Sequence, residues 1–279
     1  MKLTILTDNN TLTDRYFLAE PGLSIYIEEQ DKKILFDTGY SDVFIKNAFK
    51  IGVDLKSLDY LVFSHGHNDH TNGLIPLFHL YQEWKEMHID LKIPEIIAHP
   101  SVFNSKYRNF IGYIGAIVSK DALAKTFNLN FNSKPFWLTD KLVFLGEIPR
   151  ILEFEKLNSS AKTIIDNEEV IDPLIDDSAL AYKSVKGLVI ITGCSHSGIC
   201  NIVEYAKFVC NERKIHDIIG GFHLLKATDE KIDKTLEYLK KQQPKKIHPC
   251  HCTDLAAKMA FGRSLNVKEV GVGLCLEFE

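Results

Sequence analysis

The chain has 279 residues, 45% hydrophobic and 25% charged, which suits one mixed domain with a sizeable core and excludes disordered and fibrous classes. The net charge is −4, and the dense lysines are confined to Lys240-Lys241 and Lys245-Lys246, read as a solvated helix end, so a dedicated nucleic-acid binder is not expected. The opening residues lack the apolar core of a signal peptide and no apolar run approaches a membrane span, so a cytoplasmic protein without membrane contact is expected.

Strand signals open the chain. Lys2–Thr7 alternates polar and apolar residues, and Leu23–Glu28 and Lys33–Asp37 read as a hairpin across Glu29-Gln30-Asp31-Lys32. A helix follows from an N-cap at Ser41 to Gly52, and Tyr60–Phe63 is a short buried strand that leads directly to His65. Leu74–Met87 reads as a helix, with Pro76 tolerated near its start, and Glu95–Ala98 as a strand. Residues 101–140 are rich in Asn, Ser and aromatics. They read as an insertion or lid, or as a packed peripheral subdomain, and at least one of Phe103, Tyr107, Phe110 and Tyr113 is expected to line a pocket. The last third alternates strand and helix. Ser178–Ser184 and Leu188–Thr192 form a hairpin, a helix runs from Ser197 to about Asn211, and Asp217–Ile219 is a strand. Thr228 caps a helix that ends by Pro244, Ile247–Cys250 is a strand, Thr253 caps a short helix closed by Gly262, and Leu274–Phe278 is the final strand. No internal repeat or low-complexity linker interrupts the pattern, so 1–279 is read as one domain.

The densest chemistry is Ser64-His65-Gly66-His67-Asn68-Asp69-His70. Three imidazoles and a carboxylate within six positions, directly after a buried strand, have a metal-ligand composition. On an extended loop His65 and His67 point the same way and can grip one ion, while Asp69 and His70, past a bend, can reach a second. His196, in Thr192-Gly193-Cys194-Ser195-His196, and His251 repeat one arrangement of strand, His and helix, which puts both at strand C-terminal edges. Six cysteines in such a chain are expected to be reduced thiols; Cys250 and Cys252 bracket His251, which invites a metal role, but Cys-x-Cys is not zinc-ribbon spacing and a packed role is favoured for both. The role of Cys194 is open, since Gly-x-Ser-x-Gly spacing is absent around it.

His-x-His-x-Asp-His after an apolar strand resembles the signature of the metallo-β-lactamase superfamily. The resemblance implies an α/β fold of αββα type, a four-layer sandwich with two facing sheets and helices outside. It implies that Asp37, in Asp37-Thr38-Gly39, braces the metal loop, that Asp59 gives structural support, and that His196 and His251 complete the metal ligands. Relatives place a His in a third motif and a bridging Asp at a later Thr-Gly-Asp, whereas this chain has Asp176-Asp177-Ser178 at the first place and Cys194-Ser195-His196 at the second. Asp177 therefore reaches a metal, orients a ligand, or sits in a solvated turn. With Gly220-Gly221-Phe222-His223-Leu224 and His251-Cys252-Thr253, the pattern is similar to dihydropterin ribofuranosyl-aminobenzene phosphate synthase-like proteins and to phosphorylcholine esterases. His223 either holds a substrate oxyanion, donates a proton, or is hydrogen-bonded behind a ligand.

The function expected is hydrolysis by a water that two divalent ions activate, zinc first, with manganese or iron as alternatives. Asp69 and His223 are the expected catalytic side chains. Helix N-termini after Ser197 and Thr253 favour an anionic substrate, hence a small phosphoester. The alternatives are a thioester or lactam hydrolase of the same fold and a non-catalytic metal- or ligand-binding protein. Oligomeric state is open.

Overall fold

In the strand Lys32–Phe36, Ile34 and Phe36 face one way and Leu35 the other, and all three are buried. A strand apolar on both faces needs a packing layer on each side. In the computed structural model, which describes residues 1–156, 159–165 and 168–279, that requirement is met by four layers. Seven strands form one sheet in the order Cys275–Glu277, Lys2–Thr7, Ser24–Glu29, Lys32–Phe36, Tyr60–Val62, Glu95–Ala98 and Asn128–Phe131. Six form the other, in the order Lys246–Cys250, Ile215–Gly221, Gly187–Thr192, Ala179–Ser184, Leu142–Phe144 and Phe136–Trp137.

Between the sheets lie Leu3, Ile25, Phe36, Val62 and Ile97 from the first and Leu142, Phe144, Leu180, Val189 and Ile219 from the second. On the outer face of the first sheet, Leu35, Leu61 and Ile96 meet Phe44 and Ala48 of the helix Val43–Ile51 and Leu77 and Tyr81 of the helix Leu74–Glu86. On the outer face of the second, Ala181, Ile190, Ile218 and Ile247 meet the helices Ile199–Cys210, Asp229–Gln242 and Leu255–Gly262. The αββα arrangement is the one the sequence resemblance implies. Among the described residues, no helix is long and apolar enough to cross a membrane.

The strands that end at the site run parallel to their neighbours: Lys32–Phe36 beside Tyr60–Val62 in the first sheet, and Gly187–Thr192, Ile215–Gly221 and Lys246–Cys250 in the second. Their C-terminal ends gather at one edge, where the connecting loops converge. The stretch 101–140 divides among the layers. Asn128–Phe131 joins the first sheet beside Glu95–Ala98, and Phe136–Trp137 edges the second. Lys106–Arg108 and Gly112–Tyr113 pair instead with Ala161–Ile165 and Glu168–Ile171 in a separate four-stranded sheet. Helix starts differ by a residue or two from the expected caps. The first helix begins at Val43, whose N–H reaches Ser41 Oγ at 3.3 Å. The last is capped by Asp254, while Thr253 Oγ1 accepts from Phe222 N at 2.9 Å.

Candidate metal centre

The strand Tyr60–Val62 ends in buried Phe63 and Ser64, and the chain then turns through His65, Gly66 and His67 into the helical turn Asn68–Thr71. Gly66 is required there, because a Cβ would stand 1.9 Å from the Val102 carbonyl oxygen. Its N–H donates to Asp176 Oδ2 at 2.9 Å. His65 Nε2 lies 3.0 Å from His67 Nδ1 and 3.2 Å from His196 Nε2. Nitrogens bound at 2.0–2.1 Å to a tetrahedral zinc lie about 3.3 Å apart, so these three have the spacing of one ion's ligands.

A second group stands beside the first. His70 Nε2 is 3.1 Å from His251 Nε2, and Asp69 Oδ2 is 3.4 Å from His251 Nε2. Cys194 Sγ is 3.3 Å from His70 Nε2. The ligand atom of Cys194 also lies within 4.8 Å of those of His65 and His196, so Cys194 belongs to both groups. It occupies the place at which the resemblance expects a bridging Asp.

Donor counting fixes which ring nitrogens carry protons. Asp37 is fully buried. Its Oδ1 accepts from Ser64 N at 2.7 Å, and its Oδ2 accepts from Ser64 Oγ at 2.6 Å and from His70 Nδ1 at 2.7 Å. The single hydroxyl hydrogen of Ser64 is thereby used, so Ser64 Oγ accepts from His65 Nδ1 at 2.9 Å. Both histidines therefore turn a bare Nε2 towards the site. His251 donates from Nδ1 to Asn9 Oδ1 at 3.0 Å, its backbone N–H is held by Asp8 Oδ1 at 3.0 Å, and its Nε2 faces Asp69. Burial holds His65 and His196 well below the ordinary imidazole range and pushes His67 down to about 4, so these rings are neutral. Burial also lowers His251, but Asp69 and Cys252 outweigh it and raise the ring to about 9. This half of the site thus concentrates negative charge, which a cation would neutralise. Bare nitrogens, a carboxylate and a thiol meeting at ligand spacing fit a metal centre.

The remaining expected residues divide. Asp177 is buried, so it is not in a solvated turn; it accepts from Ser197 N at 2.8 Å and steadies the loop carrying His196. Burial raises its carboxyl to about 6. Asp176, which the sequence reading passed over, binds Gly66 N and also Lys106 Nζ at 3.0 Å. Lys106 is 1% exposed and reaches Asp172 as well, so a buried lysine joins the four-stranded sheet to the histidine loop. Asp59 lies at the opposite end of the Tyr60–Val62 strand from the ligands, where it accepts from Lys33 N at 2.8 Å and pairs with Lys92. Its support is to the sheet.

A cleft of about 520 Å³ opens over the ligands, lined by His67, Asp69, Cys194, His196, His223, His251 and Cys252 together with Asn9, Tyr40, Arg108, Ile114 and Leu225. The His223 ring packs on that of His196 with centroids 4.2 Å apart. Cys252, read from sequence as packed, faces this cleft; burial works against its ionisation, but Cys194, His223 and His251 outweigh it and hold the thiol well below its ordinary range. Cys250, by contrast, sits in the core between the sheets. None of the four expected aromatics lines the cleft. Phe103 packs on Phe63 and Phe131, Tyr107 bonds Glu169, Tyr113 bonds the Ala116 carbonyl, and Phe110 is fully exposed, while their neighbours Arg108 and Ile114 face the site. The helix N-termini expected to hold a substrate anion are occupied by the chain's own carboxylates. Glu155 accepts from Cys200 N at 3.0 Å and Asn201 N at 2.8 Å, and Asp254 accepts from Ala257 N at 3.0 Å.

Known proteins share this architecture. Residues 18–209 match the family model of the metallo-beta-lactamase superfamily. An uncharacterised protein of Methanocaldococcus jannaschii is 34% identical over 257 residues, 91% of each chain. The 7,8-dihydropterin-6-methyl-4-(β-D-ribofuranosyl)-aminobenzene-5'-phosphate synthase of the same organism is 32% identical over 277 residues, 94% of this chain and 90% of its own. The crystal structure of Tm1679, a metal-dependent hydrolase of the β-lactamase superfamily, aligns with a TM-score of 0.84 and 30% identity over 99% of this chain and 98% of its own. Sequence, layer order and whole-chain superposition agree, and the chain belongs to the metallo-β-lactamase superfamily.

Proposed function

We propose that the protein is a metal-dependent hydrolase that holds two divalent ions and cleaves a small anionic phosphoester. The observation that carries this reading is the pair of ligand groups sharing Cys194, with bare nitrogens turned inwards on both sides. His65, His67 and His196 would hold one ion and Asp69, His70 and His251 the other. Bound there, the ions would supply Lewis acidity and an activated water. A donor set of imidazoles with one thiol and one carboxylate favours zinc over manganese or magnesium. Arg108, on the cleft wall, would grip an anionic group through its planar fork. His223, beside His196, would donate to the oxygen on which charge develops.

The synthase relative supports a phosphate-bearing substrate, because its name contains a 5'-phosphate, and Tm1679 supports hydrolysis. Arg108 takes over the anion-binding role expected of the helix ends.

Purified protein loaded with zinc is expected to hold close to two ions per chain by elemental analysis, and His196→Ala and His251→Ala are each expected to retain fewer. Turnover of bis-(p-nitrophenyl) phosphate should vanish on chelation and return on reloading. A zinc-treated protein that carries no metal would end the proposal. A metal-replete protein that ignores phosphoesters but opens thioesters or lactams would move the reaction to that class. Arg108→Gln should raise KM about 10-fold with metal content unchanged, the loss expected for one charge-assisted contact worth about 1.5 kcal/mol. An unaltered KM would remove Arg108 from recognition.

A further inference from the structure

Cys194 and Cys252 come from loops at the C-terminal ends of two strands, Gly187–Thr192 and Lys246–Cys250, that both pair with Ile215–Gly221. Their sulfur atoms lie within 4.8 Å of each other. Gly221 of the strand between them makes this approach possible, since a Cβ there would stand 2.6 Å from Cys252 Sγ and 3.3 Å from Cys194 Cα. The Cys252 thiol is aimed across that gap, with Sγ 3.3 Å from the Cys194 carbonyl oxygen and 3.3 Å from His223 N. Both sulfurs border the cleft, and Cys252 is the more open of the two. The other cysteines have no such placement: Cys200, Cys210 and Cys250 are packed in the cores, and Cys275 is exposed on an edge strand.

We infer that Cys194 and Cys252 form an oxidation site at which a hydroperoxide closes a disulfide. The Cys252 sulfur attacks the peroxide, the O–O bond breaks, and a sulfenic acid and one hydroxyl compound leave that step. The Cys194 sulfur then displaces the sulfenic oxygen as water, so two thiols are oxidised and one peroxide is reduced. The consequence drawn for metal content rests on the two-ion reading. Cys194 is common to both ligand groups, so its capture in a disulfide removes a donor from each, and the ions are released.

Treatment of the zinc-loaded protein with hydrogen peroxide tests this, with peptide mass spectrometry and a zinc-sensitive dye as readouts. A cross-linked peptide joining Cys194 to Cys252 is expected, with zinc appearing in solution and both changes reversed by a dithiol. Cys252→Ser should keep its zinc at the same dose. Oxidation of Cys252 to sulfinic acid without a cross-link would overturn the inference, as would equal zinc loss from Cys252→Ser and wild type. The cross-link is read in the wild-type chain, so a poorly folded variant does not obscure it. Cross-linking in a protein that never held zinc would sustain the thiol pair and end the two-ion reading.

Discussion

Asp37→Asn is expected to lower metal affinity by about 10–100-fold, the loss typical when the partner that orients a metal-bound histidine is changed. The native carboxylate receives three donors: Ser64 N, Ser64 Oγ and His70 Nδ1. An amide of the same shape offers one acceptor oxygen and two N–H groups. With its oxygen towards Ser64 N, its N–H groups face Ser64 Oγ and His70 Nδ1. The His70 proton then moves to Nε2, and Ser64 Oγ no longer relays an acceptor to His65 Nδ1. Both ligand groups would suffer from one substitution, because Asp37 touches one member of each directly or through Ser64. A competition titration with a zinc chelator measures the loss, and melting in excess chelator shows whether the fold itself is intact. An affinity equal to wild type would mean that the histidine tautomers are set elsewhere.

Lys106→Met should produce the largest loss of stability. Two carboxylates, Asp172 and Asp176, share this ammonium at 3.0 Å, and their side chains are 3% and 0% exposed. Burial disfavours the charged lysine, but Asp176 and Asp172 outweigh it and raise its pKa. Removing only the cation leaves two negative charges in a dry site, which costs about 3–5 kcal/mol. At about 2–4 °C per kcal/mol for a chain of this size, Tm should fall by roughly 6–20 °C. Adding Asp172→Asn should recover part of the loss, since the pair is coupled. Metal affinity should fall too, because Asp176 also holds Gly66 between His65 and His67. A Tm within about 2 °C of wild type would show that solvent reaches the carboxylates after substitution.

The sequence makes some of this legible and conceals the rest for physical reasons. The His65–His70 loop is local, a stretch of six residues directly after a buried apolar strand, so its candidate ligands can be read in order. His196 and His251 are readable because a parallel strand that ends in a helix delivers its loop to one edge of a sheet. Lys106 is not readable as buried. Its partners lie 66 and 70 residues away, and nothing in its neighbourhood marks it apart from a surface lysine. Asn9 and Asp8 support His251 across more than 240 residues, and a polar run after a first strand reads simply as a turn. Glu155 occupies a helix end 45 residues later in the chain, which is why that end reads from sequence as free to hold a substrate. Strands of two or three residues, such as Leu142–Phe144, are too short to show alternation.

The separation of 181 residues between His70 and His251 has a consequence for how the protein is made. At about 5–20 residues per second, a ribosome that has finished His70 needs roughly 10–40 s more to reach His251. During that interval the histidine loop exists without its opposite wall, and the first strand exists without the residue that Asp8 and Asn9 will hold. A growing chain can therefore offer imidazoles to a passing ion, but it cannot enclose one. On the two-ion proposal, metal loading would belong to the finished polypeptide, and a message truncated before His251 would yield a product that competes for ions without gaining a complete centre.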